Sequence, residues 1–408
     1  MVIPVPTRAA GLDRLAAFTP RMGRAYAARR NYDHGAGRHA DVSGLSPYLR
    51  RRLVTEAETV EAAVAAHGPH GAEKFVQEVI WRGYFKGWLE RRPSVWRAYV
   101  DGLASDLADL SHNPALSQRL VAAETGQTGL ACFDAWSKEL IETGYLHNHA
   151  RMWFASIWIF TLELPWRLGA DFFLRHLLDG DPASNTLGWR WVAGLHTRGK
   201  AYQAETWNIA KYTNHRFAPD RADLAAAIVP LDGSEPDGLP EVSPLRPVSP
   251  VRHGVPTAIL LTEEEGSLEA FDIASIDVVA TAALSASHLR SARPVSNLVT
   301  AFERGALSDI AARVDLSAEP MHAGAPRQLA DWAKNAGARQ IAMGYVPQGP
   351  LCDWMSEALP ALTDAGIELV EWRRRYDEQI WHYATAGFFK VKKKIPLILQ
   401  ELQAELLV

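Results

Sequence analysis

The chain has 408 residues, with 48% hydrophobic and 22% charged content and a formal net charge of −4. That composition excludes a disordered chain, and its overall charge does not announce a polyanion binder, so basic character must be sought by segment. The two cysteines, Cys132 and Cys352, exclude a disulfide framework and a cysteine-based zinc or iron–sulfur centre within the chain; they fit a reducing, cytoplasmic setting.

In chain order, "MVIPVPTRAAGLDRL" has no apolar core of the kind a secretory signal needs. From Arg21 to Arg52 there are eight arginines against two acids, Asp33 and Asp41, a local net charge of +6. Such a stretch suits phosphates, and equally a solvated helix face. "SGLSPYL" reads as a turn before a helix, with Ser46 as N-cap and Pro47 as first helical residue.

Helical spacing then dominates "EKFVQEVIWRGYFKGWLE", "DAWSKELIETGYLHNHARMWFASIWIFTLEL" and "GADFFLRHLLDGD". Glu78, Trp81 and Arg82 share a helix face, as do Asn148, Arg151 and Met152. Either set could line a cavity or belong to core with a satisfied ion pair. "WFASIWIFTLELPW" is too short to span a bilayer and reads as a buried helix. His147 and His149 lack a third ligand, so no metal is expected.

Residues 229–256 hold seven of the 24 prolines and read as an extended linker or as an ordered meander on a domain surface. Beyond them "TAILL", "IDVVA", "QIAMGY" and "GIELVEW" alternate with helical segments, with Gly337 and Gly366 as helix stops. This alternation predicts a parallel α/β unit. "KVKKK", Lys390 to Lys394, reads as a solvated face. The expected fold is mainly α plus α/β: a helical domain over 1–228, the Pro-rich linker, and a Rossmann-like parallel-sheet domain over 257–408.

The ordered set "RNYDHG", "SGLSPYL", "EVIWRGYF", "TGQTGLACFDAW", "TGYLHNHARM" and "DGDPASNTLGWRW" resembles the DNA photolyase/cryptochrome family over about 30–217. The resemblance implies an all-helical domain holding FAD. Tyr32, Ser43, Leu45 and Ser46 would hold its phosphates, with Val42 where the family often has Thr. Asp179, Gly180, Asp181, Arg82, Asn148 and Arg151 would complete the cofactor site, and Asn185 would lie beside flavin N5. Glu78, Trp81, Asn148, Met152 and Trp191 match the substrate pocket of cyclobutane-dimer photolyases, which flip the lesion out of the duplex. Trp189 and Trp166 match the first two members of the family's electron-carrying tryptophan chain. Ala123 stands at the third, and Trp136, Trp153 or Trp158 could substitute.

Other departures are Tyr145 for Trp, Gly83 for an acid, and Tyr212 near the family's DNA-contacting Gln. The family's antenna domain precedes its FAD domain; here "AGFFKVKKKIPLI" and the segments before it look like the later half of that domain, implying a circular permutation. The implied function is light-driven splitting of cyclobutane pyrimidine dimers in UV-damaged DNA by a deoxyribodipyrimidine photolyase-type lyase, with FAD as cofactor and a second antenna chromophore possible. The alternatives are a cryptochrome-like blue-light photoreceptor and a flavin-free nucleic-acid-binding protein. No membrane or metal partner is expected, and the oligomeric state is not legible.

Overall fold

The computed structural model describes residues 3–405. Its compact units interleave along the chain: one takes Arg24–Gly44 and Arg92–Val242, the other Pro4–Gly23, Leu45–Arg91 and the chain from Ser243 onward. The Pro-rich stretch is therefore divided, and it is ordered. In the first unit Leu231 N donates to the Ala193 carbonyl, Arg190 pairs with Glu235, and Arg92 reaches the Pro240 carbonyl. In the second, Arg246 pairs with Glu371.

The first unit is helical. The long run expected over 134–164 is broken into Ala131–Thr143 and Asn148–Ser156, followed by a π-turn over Ile157–Thr161. The break is made by Gly144, whose φ of 66° only glycine adopts readily. His147 caps the second helix: its Nδ1 accepts from His149 N at 3.1 Å, while Nε2 donates to the Arg30 carbonyl at 3.0 Å. Both nitrogens are thus committed as a neutral imidazole, and burial pushes its pKa down to about 3.

The second unit contains a fully parallel sheet of five strands, as its alternating pattern predicts: β1 Thr257–Leu261, β2 Val278–Ser285, β3 Glu319–His322, β4 Gln340–Gly344 and β5 Glu368–Trp372. Their order is β3-β2-β1-β4-β5, so the winding reverses between β1 and β4. Apolar side chains such as Leu260, Leu284, Ile341 and Met343 form the core between the sheet and its helices. Gly337 and Gly366 follow two of these helices with φ of 74° and 69°, as expected of helix stops.

Three consecutive arginines of this unit are almost wholly buried, with Arg50, Arg51 and Arg52 each at most 1% exposed. They are not a phosphate patch. Arg50 makes two hydrogen bonds to Glu264 at 2.7 and 2.6 Å, Arg51 pairs with Glu263 at 3.0 Å, and Arg52 Nη2 lies 2.6 Å from both oxygens of Asp377. Glu263 also takes Arg290, and Glu265 takes Arg374. Burial would raise the Glu263 pKa, but Arg290, Arg51 and Arg50 outweigh it and hold the carboxyl well below the usual range.

Two outcomes follow. Asp377→Ala leaves the Arg52 charge buried without its main partner and should cost about 3–5 kcal/mol in urea unfolding. His147 has a folded-state pKa below its unfolded value of about 6.5, so its contribution is complete above that pH and is lost as pH falls toward about 3. In that window stability should fall by about 1.4 kcal/mol per pH unit from this group alone. His147→Asn, which keeps a capping acceptor, should flatten the slope; an unchanged acid profile would remove His147 as its source.

Candidate functional site

The first unit brings together most of the polar residues expected around a cofactor. Arg151, on the Asn148–Ser156 helix, sets Nη2 at 3.1 and 2.9 Å from the two oxygens of Asp179 and donates from Nε to the Leu146 carbonyl at 2.8 Å. Asp179 is buried and Arg151 half-buried, so the pair keeps one open side. Asn148 is exposed and Met152 half-buried, on the same short helix.

Gly180 and Asp181 are buried in the turn that follows. Asp181 is also the N-cap of the Pro182–Val192 helix, accepting from Ser184 N at 2.8 Å, with Pro182 at the first position. Asn185 is buried on this helix and donates from Nδ2 to the Ala170 carbonyl at 2.7 Å. That bond commits its donor end and leaves the Oδ1 end as the acceptor it offers. Ser184 Oγ, Thr186 Oγ1 and Trp189 Nε1, all buried atoms of the same helix, have no hydrogen-bond partner among the described residues. A buried polar group left unmade costs about 1–3 kcal/mol. The helix therefore carries polar capacity that a bound group would take up, and in this respect the donor and acceptor set fits FAD.

Trp189 and Trp191 lie two positions apart on one helix and so point about 200° apart. Trp189 enters an aromatic cluster with Phe173, Trp158 and Phe154 at centroid distances of 5.1, 6.1 and 6.5 Å. Gly169 admits it, since a Cβ there would lie 2.3 Å from the indole. Trp191 is half-buried and stacks on Tyr202 at 5.5 Å. Trp166 instead contacts Tyr99 at 5.8 Å, and Tyr99 contacts Trp96 at 5.2 Å. Ala123 is buried, and its carbonyl accepts from Ser137 Oγ. Trp136 and Trp153 stack on each other at 5.4 Å.

Tyr32 and Ser43 are half-buried in the first unit, Tyr32 edge-on to Tyr212 at 5.2 Å. Leu45, Ser46, Glu78, Trp81 and Arg82 belong to the second. There Leu45 occupies the cap position of the Ser46–Arg50 helix, so Ser46 is its first residue and not the cap the turn suggested. Glu78, Trp81 and Arg82 are half-buried on the Glu73–Glu90 helix. The Trp81 ring is met by Phe388 at 3.8 Å. On the same helix, Gly83 admits Ile380, and Gly87 admits Trp381, whose Cα would lie 2.8 Å from an added Cβ. The two glycines let the helix Arg375–Trp381 approach closely.

A second polar group was not legible in the sequence. Asp33, His39 and Glu139 place one ligand-type atom each within 4.8 Å of the others. Their separation along the chain fits no ligand spacing. Asp33 accepts from Gly35 N, Trp136 Nε1 and Arg216 Nη2 at 2.9, 3.1 and 2.6 Å, and His39 bonds Glu139 at 2.7 Å. With both Asp33 oxygens engaged and an arginine beside them, the cluster reads as a buried ion network joining the Tyr32 loop to the helix Ala131–Thr143.

Residues 75–221 match the family described as the FAD binding domain of DNA photolyase. A deoxyribodipyrimidine photo-lyase of Streptomyces griseus is 39% identical over 176 residues, covering 41% of this chain and 36% of its own length. One of Synechococcus sp. is 33% identical over 229 residues, covering 53% of this chain and 46% of its own. A solved cryptochrome of Synechocystis sp. aligns with 51% of this chain and 43% of its own at 25% identity, with a TM-score of 0.41. The chain thus spans less than half the length of the curated relatives named here. Over residues 75–221 the chain is thus similar to the FAD binding domain of DNA photolyase, and over a stretch of comparable extent to curated deoxyribodipyrimidine photo-lyases.

Proposed function

We propose that the chain is a light-driven, FAD-dependent DNA repair enzyme that splits cyclobutane pyrimidine dimers. The observation that carries the reading is the helix Pro182–Val192: Asn185 with its amide orientation set by Ala170, three unpartnered buried polar atoms, and the Arg151–Asp179 pair within one unit of a chain that matches a photolyase FAD domain. FAD held there would supply, when reduced and excited by light, the one-electron chemistry that opening a cyclobutane ring needs.

The residues do the rest. In the first unit, Tyr32 and Ser43 would hold phosphates of the cofactor, and Asn148, Arg151, Asp179, Gly180 and Asp181 would orient the remainder; Leu45, Ser46 and Arg82, in the second, keep the cofactor roles that the resemblance gives them. Asn185, its amide oriented by the Ala170 carbonyl, would offer a neutral oxygen acceptor to the flavin N5 region. In the first unit, Asn148 would hydrogen-bond the dimer, Met152 would add an apolar contact and Trp191 would stack on a base; Glu78 and Trp81, in the second, keep the substrate roles that the resemblance gives them. Trp189 and Trp166 serve the electron path that restores the reduced cofactor. Binding and exclusion of water are the protein's contribution to rate.

A photoreceptor reading is the second, because Phe388 already occupies the ring of Trp81 and Ala123 interrupts the tryptophan series. Illumination of the fully reduced, anaerobic protein with a dimer-containing oligonucleotide separates the two. Light-dependent loss of dimers, read by chromatography, is expected; photochemistry without it would select the photoreceptor. Asp179→Ala should lose bound flavin and repair together, measured by absorbance and the same assay.

A further inference from the structure

The chain has ten lysines, and four of them stand within Lys390–Lys394. The helix Phe388–Lys392 that begins this run is firmly seated. Phe388 is buried against Trp81 at 3.8 Å and edge-on to Tyr84 at 5.5 Å, and Val391 and Ile395 are buried as well. Successive helical residues turn by about 100°. Seating Phe388 and Val391 therefore turns Phe389 outward, and it is 76% exposed.

Lys390, Lys393 and Lys394 are exposed too. Lys393 follows Phe389 by four and Lys394 follows Lys390 by four, a spacing that makes neighbours of each pair on a helical turn. Lys392 reaches Glu73 at 3.9 Å, but among the described residues no carboxylate pairs with the other three. Lys390 Nζ donates to Thr385 Oγ1 at 2.6 Å, and the Lys394 ammonium lies 5.5 Å from the Tyr383 ring centroid.

Like charges at this spacing repel, and an exposed phenylalanine gains nothing from burial; neither feature serves the fold. Together they match one chemistry. Closely spaced cations beside a free aromatic face suit single-stranded nucleic acid, whose backbone takes the charges and whose bases stack. A membrane surface fits less well, because the apolar side of the segment is already spent on Trp81 and the core.

We propose that the Phe388–Lys394 segment is a DNA contact: Lys390, Lys393 and Lys394 neutralise phosphates of an unpaired strand, and Phe389 stacks on one of its bases. The choice of DNA over RNA rests on the repair reading; the nucleic-acid chemistry does not.

The test uses the full chain and an undamaged, fluorescent single-stranded DNA oligonucleotide, with anisotropy followed across a salt series. Lys390→Gln/Lys393→Gln/Lys394→Gln should lower the slope of log affinity against log salt by about 2, at roughly 0.7 per lost phosphate contact. Phe389→Ala should weaken single-strand binding roughly tenfold while sparing duplex of the same sequence. All four positions are exposed, and unchanged melting temperatures would confirm that the variants fold. An unchanged salt slope would overturn the proposal. So would loss in the lysine variant of binding to phosphatidylserine vesicles with DNA affinity intact. Dimer repair at saturating DNA, measured in parallel, keeps the two readings apart: repair with an unchanged slope sinks this contact alone, and a changed slope without repair upholds it while the repair reading falls.

Discussion

The second unit depends on burying three adjacent arginines. Arg50, Arg51 and Arg52 sit where no water can solvate them, so each must be matched by carboxylates brought from far along the chain. Glu263, Glu264 and Glu265 arrive together on the loop after β1, and Asp377 comes from the last third of the chain. Such a network is weak support for net stability, because desolvation offsets most of the Coulomb gain. Its value lies in specificity. A shift of one residue in the β1 loop or in the Ser46–Arg50 helix would leave several charges buried and unmatched. The network thus fixes the register between a helical segment and a sheet that share no hydrogen-bond ladder.

The Glu73–Glu90 helix joins two demands. Its face carries Glu78, Trp81 and Arg82, which the resemblance places around cofactor and substrate, and its glycines accept the helix Arg375–Trp381 in close contact. A side chain at Gly83 would press on the end of the Ile380 side chain, and any side chain at Gly87 would meet the backbone of Trp381. Close packing against the helix Arg375–Trp381 thus favours glycine at both positions, and at Gly87 requires it.

Much of this was legible in the residues. The helix from Glu73 to Glu90, the strands at Thr257, Gln340 and Glu368, and the glycine stops at Gly337 and Gly366 follow from periodicity and turn chemistry. Strand β3 escaped because it is a four-residue edge strand, Glu-Pro-Met-His, with no apolar run and with a proline that only an edge tolerates. The arginine stretch misled because charge is visible in sequence and burial is not. Glu264 and Asp377, which take Arg50 and Arg52, lie more than 200 residues away. At the site, the capping role of Asp181 could be read from the Asp-Pro pair, whereas the Asp33–His39–Glu139 cluster could not, since it is assembled only by tertiary packing.

The interleaving of the two units has a consequence for how the chain reaches its native state. Arg52 and Asp377 are 325 residues apart, and neither Leu45–Arg91 nor the sheet can complete its charges without the other. The entropy of closing so long a loop grows only logarithmically with its length, so the equilibrium penalty is mild. The kinetic penalty is different. As a ribosome extends the chain, the three arginines emerge long before Asp377 exists to receive them. They remain hydrated until the sheet has been synthesised, so this ion-pair network must close late and the second unit matures after the helical body of the first.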